Sequence, residues 1–174
     1  QPTPFLDDER GDGVVALVPA GPVTIAAGTF TGMTPLEGNT AVNSDINALA
    51  LIGSAGPVNA SVWFLDVPNV VDGYSVNLST KLNIVNLDLT HSSLEAVGTG
   101  TENNTLTKLV ASANVAGVNL VAGYGMTNDN DANGRHLGVD LASDDDGKTN
   151  FRLDQIVLDD YVDADAILLG ASMT

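Results

Sequence analysis

Two kinds of connection alternate along this 174-residue chain, and the alternation restricts its fold more than any other feature. Tight turns are read at Gly21-Pro22, Gly56-Pro57, Asn83-Ile84, Val115-Ala116-Gly117 and near Asp160, while longer polar links fall at roughly 32–45, 67–73, 95–104 and 128–148. If the segments between them are strands, every short turn stands at one end of the sheet and every long link at the other. A sandwich has no reason to sort its connections this way. An up-and-down barrel with short turns on one side and long loops on the other does.

The intervening segments carry the period of strands. From Tyr74 the apolar residues Tyr74, Val76, Leu78 and Leu82 alternate with Ser75, Asn77, Ser79, Lys81 and Asn83, which is period 2 and not 3.6. Beyond Asn83 the parity flips: Val85, Leu87 and Leu89 are apolar, and Asn86, Asp88 and Thr90 take the other face. A two-residue loop at Asn83-Ile84 pairs Leu82 with Val85 and keeps both apolar sets on one side. The motif AGPV, at 20–23 and again at 55–58, supplies Gly-Pro turns between strands near 13–20 and 23–31 and between 46–55 and 58–66. Further hairpins are expected at 105–114 with 118–127, and at 149–158 with 163–173. The unit repeats at a drifting spacing, which speaks against a solenoid or propeller.

Charge narrows the partners. The formal charge of −16 comes from 22 acidic against 6 basic residues, a balance that disfavours nucleic acid and anionic headgroups and suits cations. There is no cysteine, so disulfides, thiolate metal sites and thiol nucleophiles are excluded. No run approaches the ~20 apolar residues of a membrane helix, but a membrane strand needs only about 9 to 11. Ala16, Ala26, Ala27, Gly28, Ala48, Ala50, Ala111, Ala113, Ala122 and Gly123 are too small to fill a dry core to normal density; on a channel wall they leave space that water occupies. Phe30, Trp63, Phe64, Tyr74 and Tyr124 fall near strand ends, where an interfacial girdle would sit.

The stretches QPTPFLDDERGDGVVALVPAGPVTIAAGTF, ALALIGSAGPVNASVWFLDV and NVAGVNLVAGYGMTNDND resemble the major outer membrane porins of Campylobacter and Arcobacter relatives, in texture and register over most of the chain. The resemblance implies an all-β, antiparallel up-and-down transmembrane β-barrel in the outer membrane of a Gram-negative bacterium. It further implies a homotrimer that passes small hydrophilic solutes and favours cations. About ten strands are visible, so residues 1–174 are expected to form one segment of a larger barrel, with residues 1–13 as a possible constriction loop.

The segment FLDDERGDG places Asp7, Asp8, Glu9, Arg10 and Asp12 just before the first hairpin. Carboxylates facing an arginine across a confined aqueous channel would favour cations; a solvated acidic loop is the plainer alternative. Calcium is a second expectation, with Asp7, Asp8, Asp144, Asp145 and Asp146 as oxygen ligands, although neither run fits the EF-hand pattern and NDNDANG lacks its closing Glu. Catalysis finds no constellation. His91 and His136 have no nucleophile signature near them, and GTGTENN lacks the lysine of a phosphate loop. The rival fold is a jelly-roll capsid or surface subunit of a halophilic virus or archaeon, which the aspartate excess also suits; an acidic calcium-binding adhesin is a third reading. Outward-facing Val76, Leu78, Val85 and Leu87 would favour the porin, and a dry closed core the jelly roll.

Overall fold

The computed structural model of the chain describes residues 12–31, 45–96, 103–128, 152–153, 156–158 and 161–173. The described strands are β1 (Asp12–Ala20), β2 (Val23–Thr31), β3 (Ile46–Ala55), β4 (Val58–Val67), β5 (Val71–Leu82), β6 (Val85–Ala96), β7 (Asn104–Val115), β8 (Val118–Thr127), β9 (Arg152–Leu153), β10 (Ile156–Val157) and β11 (Asp165–Met173). Nine of them form one sheet in the order β1-β2-β3-β4-β5-β6-β7-β8-β11, and β9 and β10 make a separate two-residue pair. Neighbours in the large sheet are antiparallel throughout. Chain order is sheet order, so the described strands lack the long returning connections of a Greek key, and the jelly-roll expectation is not met. Nine of the described strands build the wall.

The turns follow from local chemistry. Gly21 and Gly56 adopt positive φ, 64° and 59°, ahead of prolines whose rings set the next φ near −65°; this is the two-residue turn whose twist matches its strands. Leu82 pairs with Val85 across Asn83-Ile84, and Asn83 takes φ 55°. The fourth turn is one residue tighter than expected: Val115 itself pairs with Val118, leaving Ala116 and Gly117, both at positive φ.

Two sequence expectations are corrected. The polar link at 67–73 is mostly strand. β4 runs to Val67 and β5 begins at Val71, with Val67 and Val71 paired and a Val70 N–H to Val67 O bond of 2.9 Å closing the turn. Among the described residues the hairpin of 149–158 with 163–173 does not form either. Instead β11 pairs with β8, from Asp165↔Met126 to Met173↔Val118. The edge of β8 offers β11 a full strand of backbone partners in matching apolar parity, whereas the described residues of the local segment pair with each other as the short β9–β10 ladder. The connection from β8 to β11 becomes one long link, so the two-residue turns still share one end of the sheet, while the connections at the other end range from three residues between β4 and β5 to this long link.

Register propagates parity across the sheet and gives it two unlike faces. One face carries the row Ala16, Ala27, Leu49, Phe64, Tyr74 and the row Ala60, Leu78, Leu89, Leu109, Tyr124, Ile167. Its large apolar side chains stay exposed, at 45% for Leu49, 41% for Leu78, 47% for Leu109 and 70% for Ile167. The other face carries Leu17, Ala26, Ala50, Trp63, Ser75, Ser92, Leu106 and Thr127; from Ala26 onward these are buried, apart from half-buried Trp63. We call this shielded face inner and the exposed apolar face outer. Val76, Leu78, Val85 and Leu87 lie on the outer face.

Candidate functional site

The inner face divides into two zones along the strands. Toward the short turns it is lined by amides and hydroxyls that bond across strands. Ser54 Oγ donates to Asn59 Oδ1 at 2.7 Å, Asn114 Nδ2 to Asn119 Oδ1 at 2.6 Å, and Asn86 Nδ2 to Ser112 Oγ at 3.4 Å. Higher up, Asn77 Nδ2 donates to Asp88 Oδ1 and to Thr90 Oγ1, both at 3.0 Å. Thr90 Oγ1 in turn donates to the same Asp88 oxygen at 3.3 Å. Ser75 and Ser92 share a bond of 2.9 Å. Lys81 pairs in register with Asn86, and Lys108 with Thr90, so both cations stand on this face. Cross-strand polar pairs of this kind hold register and orient donors and acceptors toward the space they line.

Toward the long links the inner face turns apolar. Ile46, Leu65, Val67, Val71 and Leu94 form a buried cluster, with Phe30 and Trp63 packed against it. Gly73, inside this patch, has no room for a side chain, because a Cβ there would collide with Leu94. Two of the five aromatics expected in an outer girdle are thus redirected: parity puts Trp63 with Leu65 and Val67, and Phe30 opposite Ile46, all facing inward. Phe64, Tyr74 and Tyr124 remain on the outer face.

A second inner cluster comes from the long link between β8 and β11. Leu158, 3% exposed, packs against Leu106, with Val110, Ala164, Ala166 and Leu168 around it. Leu106, Val110, Ala166 and Leu168 are inner-face wall residues by register. Leu158, a described residue of that link, therefore packs on the inner wall.

Apart from Asp88, the acids of the described strands stand on the outer face, unlike Lys81 and Lys108. Asp66, Asp72 and Glu95 share an outer-face row with Asn47, where Asn47 Nδ2 donates to Asp66 Oδ2 at 3.1 Å. Asp165 accepts from Tyr124 Oη at 2.8 Å. Asp12 begins β1 opposite Thr31, in parity with outer-face Val14. These carboxylates end the apolar outer band on the side of the long links. His91 also faces outward, bonded through Nδ1 to Thr107 Oγ1 at 2.8 Å and through Nε2 to Tyr74 Oη at 3.3 Å; it has a structural partner on each side. Asp7, Asp8, Glu9, Arg10, Asp144, Asp145, Asp146 and His136 lie outside the described residues. Among the described residues no three His, Asp or Glu side chains gather in a way that could hold a metal ion.

Sequence reading found the polar parity of β5 and β6, hence Asn77, Asp88 and Thr90. It missed Leu158 and the residues that fasten its link, Thr127 and Asn128. Nothing local marks these three, because their partners lie from 23 residues away, Thr105 for Asn128, to 52, Leu106 for Leu158.

An exposed apolar face backed by a wall of amides and hydroxyls is the inverse of a soluble sheet, and comparison with solved structures agrees. No family model matches the chain, and no curated protein matches it. Among solved structures the chain is similar to OccK2 (OpdF) of Pseudomonas aeruginosa, with a TM-score of 0.63 and 16% identity over 72% of this chain. The same protein in complex with glucuronate gives a TM-score of 0.60 and 17% identity over 72% of the chain. OpdL of Pseudomonas aeruginosa gives 0.60 and 14% identity over 68%. The fold is that of an outer-membrane porin wall. The chain spans 42% of OccK2 and 38% of OpdL, so what it shares with them is a sector of wall. At 14 to 17% identity these Pseudomonas neighbours show the fold alone, and they do not single out the Campylobacter kind.

Proposed function

We propose that this chain forms part of the wall of a passive outer-membrane diffusion channel for small hydrophilic solutes, in a Gram-negative bacterium. The observation that carries the reading is the inversion of faces: exposed Leu49, Leu78, Leu109 and Ile167 outside, and the Asn77–Asp88–Thr90 network inside. In hydrocarbon every backbone group must be paired within the sheet, which an antiparallel wall achieves once closed. The outer band then meets lipid, and the inner amides replace part of a solute's hydration shell. No step of bond making or breaking is required, and the channel reading is supported by neighbours that are themselves channels.

Cation preference is part of the proposal. The described inner wall holds Asp88 against Lys81 and Lys108, so selectivity would come from the acidic links: Asp7, Asp8 and Glu9 with Arg10, together with Asp144, Asp145 and Asp146, where calcium would also bind. The Campylobacter-type resemblance supports a homotrimer. The test is reconstitution of the full-length polypeptide in planar bilayers under a salt gradient. Discrete conductance steps with a reversal potential of the cation-selective sign are expected; the absence of conductance would end the channel reading, and anion preference would end the selectivity reading alone.

A further inference from the structure

Where the outer apolar band meets the carboxylates, the outer face carries a hollow of about 260 Å³ lined by Phe64, Asp72, Tyr74, Ser93, Glu95 and Asn103. Strand register builds it. Phe64 stands opposite Tyr74 and Asp66 opposite Asp72 on β4 and β5, while Tyr74 and Asp72 face Ser93 and Glu95 on β6. Two rings and a hydroxyl therefore share one level, and three carboxylates share the next level toward the long links. Tyr74 is oriented by the contact of its Oη with His91 Nε2 at 3.3 Å, and Phe64 is 48% exposed. Like charges directly opposite one another cost stability, so the Asp66–Asp72–Glu95 row favours a cation beside it. Among the described residues no three acids could hold a metal ion, which leaves a bulkier cation as the fitting partner. Ser93 points to a ligand independently of the acids. Its side chain is 2% exposed and lines the hollow, yet its hydroxyl makes no hydrogen bond to a described residue, although a shielded hydroxyl ordinarily has a partner.

We propose that this hollow binds the ammonium group of a cationic amphiphile whose alkyl chain lies along the outer apolar band, over Val62, Val76 and Leu78. The inference rests on the outer face meeting lipid and does not require conduction. A cation beside Phe64 and Tyr74 is attracted by the ring quadrupoles, and Asp72 and Glu95 supply the opposite charge. The Ser93 hydroxyl accepts one ammonium N–H. The hollow lies below the roughly 300 to 1,000 Å³ of sites that enclose a whole drug-sized ligand, so it takes a headgroup and leaves the chain in the band. Charge also selects among amphiphiles. A phospholipid ammonium brings a phosphate a few bonds away, which the Asp66–Asp72–Glu95 row would repel; an alkylammonium with no anionic group meets no such penalty.

The test titrates dodecylammonium into the folded full-length polypeptide in a nonionic detergent and counts bound molecules by native mass spectrometry, with dodecanol and dodecyl sulfate as controls of equal chain length. A saturable dodecylammonium site is expected, and neither control should fill it. D72N/E95Q is expected to weaken binding about tenfold or more, and F64L about threefold. S93A should weaken dodecylammonium about threefold and leave dodecyltrimethylammonium unchanged, because the quaternary group has no N–H to donate. Far-UV circular dichroism establishes that each variant is folded. The absence of a saturable site in the folded wild type, or a site undiminished in both F64L and D72N/E95Q, would overturn the proposal. Displacement of dodecylammonium by short-chain phosphatidylethanolamine would overturn the choice of a phosphate-free ligand. Binding that the variants abolish, in a protein that passes no current in planar bilayers, would uphold the site and strike the channel reading; conduction without such binding would do the reverse.

Discussion

Consecutive residues Leu78 and Ser79 on β5 live in different media. Leu78 belongs to an outer row of Leu89, Leu109, Tyr124 and Ile167, Ser79 to an inner row with Asn59 and Asp88. A soluble sheet with one dry face would crowd its leucines together; here the large apolar side chains of that row stand exposed, and the Asn77–Asp88–Thr90 and Ser75–Ser92 hydrogen bonds lie on the shielded side. The inner face is itself uneven, with amides near the short turns and the Ile46–Leu65–Leu94 cluster near the long links. What this teaches is that parity assigns a face, and height along the strand then assigns that face's chemistry.

The contrast between faces is the easiest to break. L78R is expected to destabilise the protein in lipid vesicles by about 3 kcal/mol, because a guanidinium would enter the outer apolar band, while S79R on the inner face changes stability by about 0.5 kcal/mol or less. Urea titration in vesicles with a far-UV readout measures both, and equal effects would remove the assignment of lipid and lumen. The division within the inner face gives a smaller but still clear difference. L94A should cost about 2 to 3 kcal/mol, since Leu94 is buried among Val71 and Leu65 and leaves a cavity. L89A, on the outer face of the same strand, should cost about 1 kcal/mol or less, because lipid tails refill the space. The smallest expected effect concerns the short-turn end common to both faces. A116N puts Asn-Gly at a turn in which Ala116 and Gly117 both have positive φ and is expected to stabilise by about 0.5 kcal/mol, read as a shift in the midpoint of the same titration.

Much of the wall was legible in the residues. Ser75, Asn77 and Ser79 alternate with Tyr74, Val76 and Leu78 whatever the tertiary context, and the flip at Asn83-Ile84 assigns Asn86, Asp88 and Thr90 to the same side. Trp63 and Phe30 were misread because nearness to a strand end was allowed to outweigh parity; their alternation with Phe64 and Thr29 already pointed them inward. The β8–β11 pairing was illegible for a different reason. A segment near 149–158 with its own apolar residues competes locally for the partner that β8 wins, and the deciding contacts, Leu158 on Leu106 and Thr127 on Ala164, join residues far apart in sequence.

By itself the sequence determined the turns, the strand parity and the order in which hairpins follow one another, because Gly-Pro and Asn dihedral preferences and the two-residue repeat act over a few bonds. Only the tertiary structure decided which strand closes on β8, where the inner face becomes apolar, and which link returns to the wall. Those outcomes compare burial and hydrogen bonding between distant segments, a competition that no short stretch of chain records.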